Sequence, residues 1–550
     1  MCGIVGIVNP KKTNTSQLIV SMLQTIRHRG PDGIGLCVGN SIRKSYKLHS
    51  LKPWDTKGTY GLGHIRLAIV GGLEGVQPFQ TEDGQLTLLH NGEIYNYREL
   101  DAELPKSCKT DTDSEVVLRY LEQFYRGNLE EAMRKLLPFL DGVYTIAVTD
   151  GRSTVIARDL MGVRPLYVGR NGSMLAFASE KKALHAINMK KHIWRLPPGH
   201  LGVLKEKEYK TSPFHGSVLK DVEARYFKHE EALQAIKKAF YRSLRKRLRG
   251  CSQVGVLFSG GIDSLMVAFA SKYYGVKTTC YTAGRETSPD IRWAKEAAES
   301  LGLNIHVRRL SLSDIETILP KVIRTIEDWS LNQVEVSVPM YAALYAAKDM
   351  GERIILTGQG ADELFGGYSW YPAVVEKDGY EKFVKYSTED TELLFKECLE
   401  REDKVAMAHS MELRVPFLDP ELVRCAFRVS PKLKVHPAKD RFGKHILRRL
   451  AVRMGIPRRF AYRPKEAAQH GAKIHGAIEE LAYRNGFSAE RVEQEGYNAN
   501  QTIEEVLGSS SRYGYRYGET ALWEPLDHVQ CYLDSLAEEV GVLDPPQVKV

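Results

Sequence analysis

A short apolar run, Gln253 to Phe258, leads directly into Ser259-Gly260-Gly261-Ile262-Asp263-Ser264, and a helical pattern from Ile262 to Tyr274 continues it. A strand that turns into a helix through two glycines is half of a βαβ unit, the building block of a parallel, doubly wound sheet. The rhythm repeats: strand Lys277 to Thr282, helix Ile291 to Leu301, then a further strand Arg353 to Thr357. It begins after the helical spacing of His229 to Leu248. From Lys228 onward the chain is therefore expected to form an α/β doubly wound parallel-sheet domain.

The loop itself suggests chemistry. Glycines let backbone N–H groups close on an anion, and the helix N-terminus adds a favourable dipole. Ser259 and Ser264 supply hydroxyl donors. Without a Lys after the glycines it is not a Walker A loop, and it suits a departing pyrophosphate better than a transferred γ-phosphate. Asp263 offers a hard oxygen ligand for Mg²⁺. A second glycine-rich loop, Thr357 to Tyr368, follows a second strand, and its Asp362 is the natural partner carboxylate. In a parallel sheet both loops open at the carboxyl ends of the strands, where ligands bind. The plain alternative for each is a glycine-rich βα turn.

The first part of the chain has another texture. Gly3 to Val8, Leu86 to His90 and Gly142 to Val148 read as strands, with helical patterns at Ser16 to Arg27 and Asp113 to Phe124. Thr112 or Asp113 could cap the second helix. The mixture predicts a layered α+β domain. Strand-like sequence continues to about Val203, and the polar residues 205–225, with Pro213 and Gly216, read as a connector. The expected division is a domain at 2–205, a linker at 206–227 and a second domain at 228–550. Little can be placed in the tail beyond 466.

Cys2 stands apart within the first domain. With Met1 removed it carries a thiol and a free α-amine on one residue, a nucleophile beside its own base. An α-amine has a reference pKa of about 8, so it can relay the thiol proton near neutrality. A small residue buried in a first strand is the other reading.

Composition narrows the partners. The 77 basic and 68 acidic residues leave a net charge of +9 on 550 residues. Two basic runs, Arg242 to Arg249 and His445 to Arg449, raise nucleic-acid binding. No aromatic RNA-binding motif accompanies them, and a solvated helix face or a phosphate-handling surface fits better. The eight cysteines form no CxxC pair, so neither zinc site nor disulfide framework is expected. No apolar run approaches the roughly 20 residues of a membrane span, and no signal peptide is visible. A cytoplasmic protein is expected.

Two motif sets carry a resemblance over about residues 1–470. Cys2-Gly3-Ile4-Val5-Gly6-Ile7, Arg27-His28-Arg29-Gly30-Pro31-Asp32-Gly33, Gly63-His64-Ile65-Arg66-Leu67 and His90-Asn91-Gly92-Glu93-Ile94-Tyr95-Asn96 resemble a class II glutamine amidotransferase domain. The Ser259 loop, Gly360-Ala361-Asp362-Glu363-Leu364-Phe365-Gly366-Gly367-Tyr368 and Glu412-Leu413-Arg414-Val415-Pro416-Phe417-Leu418-Asp419 resemble the synthetase domain of glutamine-hydrolysing asparagine synthetases.

The resemblance implies an Ntn-hydrolase sandwich (αββα) followed by the ATP-dependent domain. It implies that Cys2 attacks glutamine, with Asn91 and Gly92 as the oxyanion hole. Arg66, Leu67, Ala68, Ile69, Val70, Glu93 and Asp113 would complete the glutamine pocket. Leu257, Ser259, Gly260, Gly261, Asp263, Ser264, Ala283, Thr357 and Gly358 would bind ATP, Asp263 and Asp362 would hold Mg²⁺, and Lys465 would face the reacting phosphate. The implied reaction amidates aspartate through a β-aspartyl-AMP intermediate; the alternative is another carboxylate acceptor. Glutamine, aspartate and ATP are the expected partners, with neither nucleic acid nor membrane, and a homodimer is one expectation. Two positions depart from the usual pattern: Gln359 stands where many members have Glu, and Ser369 to Ala373 differs in a stretch expected near the acceptor pocket.

Overall fold

The computed structural model describes residues 2–11, 14–47, 52–54, 56, 58–437, 440–464, 467–499, 526–542 and 548–549. The chain divides into two compact units. The first comprises Met1–Ser217 with Met407–Met411 and Asp544–Val550; the second comprises Val218–Ala406 and Glu412–Leu543.

The first unit is built by strands whose alternate residues face different layers. In Gly3–Val8, the side chains of Val5 and Ile7 pack under the helix Thr15–Thr25, alongside Ile19 and Leu23. Ile4 and Val8 point the other way, against Leu89, Ala147 and Ile156 of a facing sheet. In Thr87–Ile94, Leu88 joins a third core with Val117, Leu121 and Met133 from the helices Asp113–Glu122 and Leu129–Leu136. Three apolar layers between helix, sheet, sheet and helix make the αββα sandwich. Gly3–Val8 lies inside an eight-stranded sheet, hydrogen-bonded between Met174–Ala178 and Tyr60–Arg66. Thr87–Ile94 lies in a six-stranded antiparallel sheet beside Gly142–Thr149.

The region read as a connector differs from expectation. Glu208–Pro213 is a strand that pairs along its whole length with His200–Lys205. A tight turn with Glu206 at φ 52° reverses the chain. The strand closes the edge of the six-stranded sheet with mostly exposed side chains, so its sequence carries no apolar alternation to betray it.

The second unit is an α/β fold. Five parallel strands lie in the order Asn304–Arg309, Lys277–Gly284, Gln253–Leu257, Ile354–Leu356, Glu412–Arg414. In chain order this is third, second, first, fourth, fifth, so the winding reverses between Gln253–Leu257 and Ile354–Leu356. The crevice at that reversal is where such sheets bind ligands.

Each basic run buries one arginine, Arg247 or Arg448, while Arg242, Arg245, Arg249 and Arg449 stay exposed. Arg247 is buried 3.1 Å from Asp419, Lys246 lies 3.2 Å from the same carboxylate, and Arg242 reaches Glu421 at 3.0 Å. The buried Arg448 donates to the carbonyls of Gly443, Ala461, Arg463 and Phe442. No described helix is long and apolar enough to cross a membrane.

Candidate active sites

The period-two alternation of the first unit places its candidate residues. Cys2 has the parity of Ile4 and Asn91 that of Leu89, so both side chains enter the space between the two sheets. There the Cys2 backbone N–H donates to Asn91 Oδ1 at 2.9 Å. That bond fixes the orientation of the amide and leaves Asn91 Nδ2 buried without a hydrogen-bond partner among the described residues. A buried donor without an acceptor costs about 1–3 kcal/mol, and one so placed is able to receive a developing oxyanion. Gly92 follows with φ 153°, and a Cβ there would lie 2.1 Å from Val143 O. Only glycine lets the two strands meet at that backbone angle.

Cys2 is held from behind as well. Arg29 Nε donates to the Cys2 carbonyl at 3.0 Å, and the Cys2 thiol lies 3.9 Å from Leu67 O. Arg29 in turn pairs with Glu180 at 2.7 Å, both side chains fully buried. Burial alone would raise the Glu180 carboxyl; His28, Lys182 and Arg29 together hold it well below the usual carboxylate range. Neither Arg29 nor Glu180 was assigned a role from sequence. The partners lie 151 positions apart, although Arg29 sits inside the Arg27 to Gly33 motif.

The other expected pocket residues lie on strands, a loop and a helix of the same unit. Arg66 ends the strand Tyr60–Arg66, and its guanidinium donates to Val70 O at 3.0 Å, Gly72 O at 2.8 Å and Gly75 O. It clasps the loop containing Leu67, Ala68, Ile69 and Val70; the Ala68 N–H is itself held by Asp32 at 2.7 Å. Asp113, capped into its helix by Thr112, accepts from Ile94 N–H at 2.9 Å. Glu93 shares the parity of Asn91 and is buried.

In the second unit, Leu257, Ser259, Asp263, Ser264, Ala283, Thr357, Gly358 and Asp362 all line one cavity of about 220 Å³ at the reversal of the sheet. Gly260 and Gly261 form the turn into the helix Ile262–Tyr273. Arg463 Nη1 steadies that turn from Ser259 O at 2.6 Å. The two loops touch: a Cβ on Gly358 would lie 2.6 Å from Asp263 Cβ.

Asp263 and Asp362 converge on a single cation. The Lys444 ammonium contacts Asp263 Oδ2 and lies 2.9 Å from Asp362 Oδ1, with the Lys444 side chain almost wholly buried. Lys444 is delivered there by a tight turn, where it adopts φ 50°. Asp440 braces the turn by accepting from Phe442 N–H at 3.0 Å and from His445 Nε2 at 2.7 Å. Two carboxylates that converge on one positive charge offer the hard oxygen donors that a divalent ion in its place would need. Lys444 was missed from sequence. Lys465 lies outside the described residues.

Gln359 also lines the cavity. The departing stretch Ser369 to Ala373 contributes to a neighbouring aromatic cluster: Tyr368 and Trp370 stack at 5.8 Å, and the buried Tyr371 donates to Asp390 at 2.7 Å. Arg401 and Glu402, from the charged sequence Glu400 to Lys404, enter the same cavity.

Residues 1–196 match the family described as glutamine amidotransferase domain. Residues 235–394 and 375–537 match the family described as asparagine synthase. A protein of Methanocaldococcus jannaschii, provisionally named asparagine synthetase (glutamine-hydrolyzing) 1, is 32% identical over 544 residues, covering 90% of this chain and 98% of its own. The asparagine synthetase (glutamine-hydrolyzing) of Sandersonia aurantiaca is 31% identical over 510 residues, with 87% and 90% covered. Asparagine synthetase (glutamine-hydrolyzing) 1 of Arabidopsis thaliana is 31% identical over 496 residues, with 86% and 78% covered. Among solved structures, a glutamine phosphoribosylpyrophosphate amidotransferase from B. subtilis aligns with 21% identity and a TM-score of 0.36, over 52% of this chain and 67% of its own.

Proposed function

Because the chain belongs to the glutamine-hydrolysing asparagine synthetases, we infer that its two sites divide one synthesis between them: ammonia is released from glutamine at Cys2, and aspartate is activated and amidated at the cavity of the second unit. The family makes it a glutamine-dependent ligase that uses ATP as co-substrate.

At the first site, with Met1 removed, the Cys2 thiol attacks the glutamine side-chain carbonyl, its proton passing to the α-amine of the same residue and from there to the departing nitrogen. Asn91 Nδ2 and the Gly92 N–H receive the oxyanion, and removing one such donor costs about 10² to 10³ in rate. Ammonia leaves, and water cleaves the thioester to glutamate. Arg66 and the 67–70 loop, with Glu93 and Asp113, hold the two ends of the substrate.

At the second site the Ser259 loop cradles the phosphates of ATP, and a carboxylate oxygen of aspartate attacks the α-phosphorus. Pyrophosphate departs and β-aspartyl-AMP forms. Ammonia then attacks the acyl carbon, and AMP departs as asparagine forms. Asp263 and Asp362 hold Mg²⁺, which when bound offsets the charge of the departing pyrophosphate. Lys465 would offset the charge developing as AMP leaves.

The observation that carries this reading is the convergence of Asp263 and Asp362 on one cation beside the Ser-Gly-Gly loop. The test uses the full-length protein with ATP, aspartate and either glutamine or ammonium. Asparagine, AMP and pyrophosphate are expected in equal amounts from both nitrogen sources, and Cys2→Ala should lose the glutamine-driven reaction alone. Aspartate that releases no more pyrophosphate than buffer would overturn it.

A further inference from the structure

The cavity of the second unit holds two charged side chains that the reaction outlined above leaves unused. Arg401 and Glu402 begin the helix Glu400–Ala408 and are 9% and 6% exposed. Arg401 Nη1 donates to Gln333 Oε1 at 2.8 Å, and its Nη2 lies 3.7 Å from Glu402 Oε1. Glu402 Oε2 is buried with no hydrogen-bond partner among the described residues, as is Arg401 Nε. Burying a carboxylate oxygen without a donor is costly, so this orientation is not explained by stability alone.

Amidation by ammonia requires a base. The attacking nitrogen is neutral, and the adduct carries one proton too many until something accepts it. Among the side chains lining the cavity, Asp263 and Asp362 share the Lys444 ammonium, and Asp290 is paired with Arg463. Gln359 is a neutral amide and accepts no proton, and no histidine lines the cavity among the described residues. Among the described residues that line the cavity, this leaves Glu402, whose Oε1 faces Arg401 at 3.7 Å while Oε2 has no donor.

We propose that Glu402 accepts the proton from ammonia as it attacks the activated carboxylate. The assignment rests on the adenylation reading of this cavity. The ammonia lone pair forms the C–N bond, and the surplus proton passes to Glu402 Oε2. The carbonyl re-forms as the C–O bond to phosphate breaks, and AMP leaves with that electron pair. Glu402 then returns the proton to solvent. Burial pushes its carboxyl up to about 7, with the Arg401 guanidinium opposing that rise; a base of that strength suits a neutral solution.

The test separates adenylation from amidation in the full-length protein. Aspartate-dependent exchange of pyrophosphate into ATP reads the first step, and ammonium-driven asparagine formation reads the second. Glu402→Gln is expected to retain exchange within threefold while asparagine formation falls about 10² to 10⁴-fold, the range for loss of a general base. Glu402→Asp should keep a measurable fraction of the activity. Adding Gln359→Glu to the Glu402→Gln protein returns a carboxylate to the same cavity and should recover at least tenfold. Asparagine formation by Glu402→Gln within threefold of wild type would overturn the proposal, as would parallel loss of both steps. Wild-type protein without aspartate-dependent exchange would instead overturn the adenylation reading beneath it.

Discussion

Gly358→Ala adds one methyl group at the point where the two loops of the synthetase site touch. The new Cβ would lie 2.6 Å from Asp263 Cβ and 2.9 Å from both the Asp263 carbonyl carbon and the Ser264 nitrogen. Ordinary contact begins near 3.4 Å, so the loops must part by most of an ångström. Two of the three obstructing atoms are backbone at the start of a helix, which cannot rotate away. Overpacking of this kind costs about 1–3 kcal/mol, a loss the domain can survive. Its effect on chemistry is larger, because it carries Asp263 away from Asp362, and a displacement of about 1 Å in a reacting geometry costs about 10² in rate. The assay is aspartate-dependent pyrophosphate release with ammonium as nitrogen source, read beside glutaminase activity in the same preparation. Pyrophosphate release should fall about a hundredfold while glutamate production holds, since Cys2 and Gly358 belong to different units. Release within twofold of wild type, or equal loss of both activities, would refute the reasoning.

Three further outcomes follow from the geometry. Asn91→Ala removes both the anchor of the Cys2 N–H and the free Nδ2, so glutaminase kcat should drop about 10² to 10³-fold with ammonium-driven synthesis unchanged. Asp263→Asn should abolish adenylation and spare glutaminase, read by pyrophosphate release and glutamate formation respectively. Glu180→Gln leaves the buried Arg29 charge without its partner and should cost about 3–5 kcal/mol, seen as a lower unfolding temperature of the first unit. The same carboxylate gives a pH signature. Its folded pKa is depressed, so its stabilisation is complete above the ordinary carboxylate pKa and fades as pH falls below about 4. The acid loss of stability should therefore be shallower in Glu180→Gln.

What could be read from the chain alone was whatever is local. The Ser259 loop, its strand and its helix are contiguous, whereas the reversal of the sheet beside them depends on the spatial order of the strands. Alternation along Gly3–Val8 and Thr87–Ile94 sends Cys2 and Asn91 into the same layer once two facing sheets are granted. What stayed hidden depends on partners distant in sequence. Glu180 closes on Arg29 from the end of another strand, and Lys444 reaches Asp263 across 181 positions. Arg401 and Glu402 could not be told from a solvated helix face until burial was known. The edge strand Glu208–Pro213 escaped for a different reason, since exposed residues at a sheet margin follow no apolar pattern.

The lysine between the two aspartates has a consequence for how the cleft is ready to work. Two like charges about 4 Å apart repel by about 4 kcal/mol at an effective dielectric of about 20. Lys444 offsets that repulsion from inside the chain, so the charge balance between the two acids is set by the fold itself. On the adenylation reading, a polyphosphate arriving with its metal would bring both a replacement for the ammonium and an anionic chain to receive it. Loading the site would then exchange one counter-ion for another. The work of bringing two acids face to face is done once, when the protein folds, and not again at every turnover.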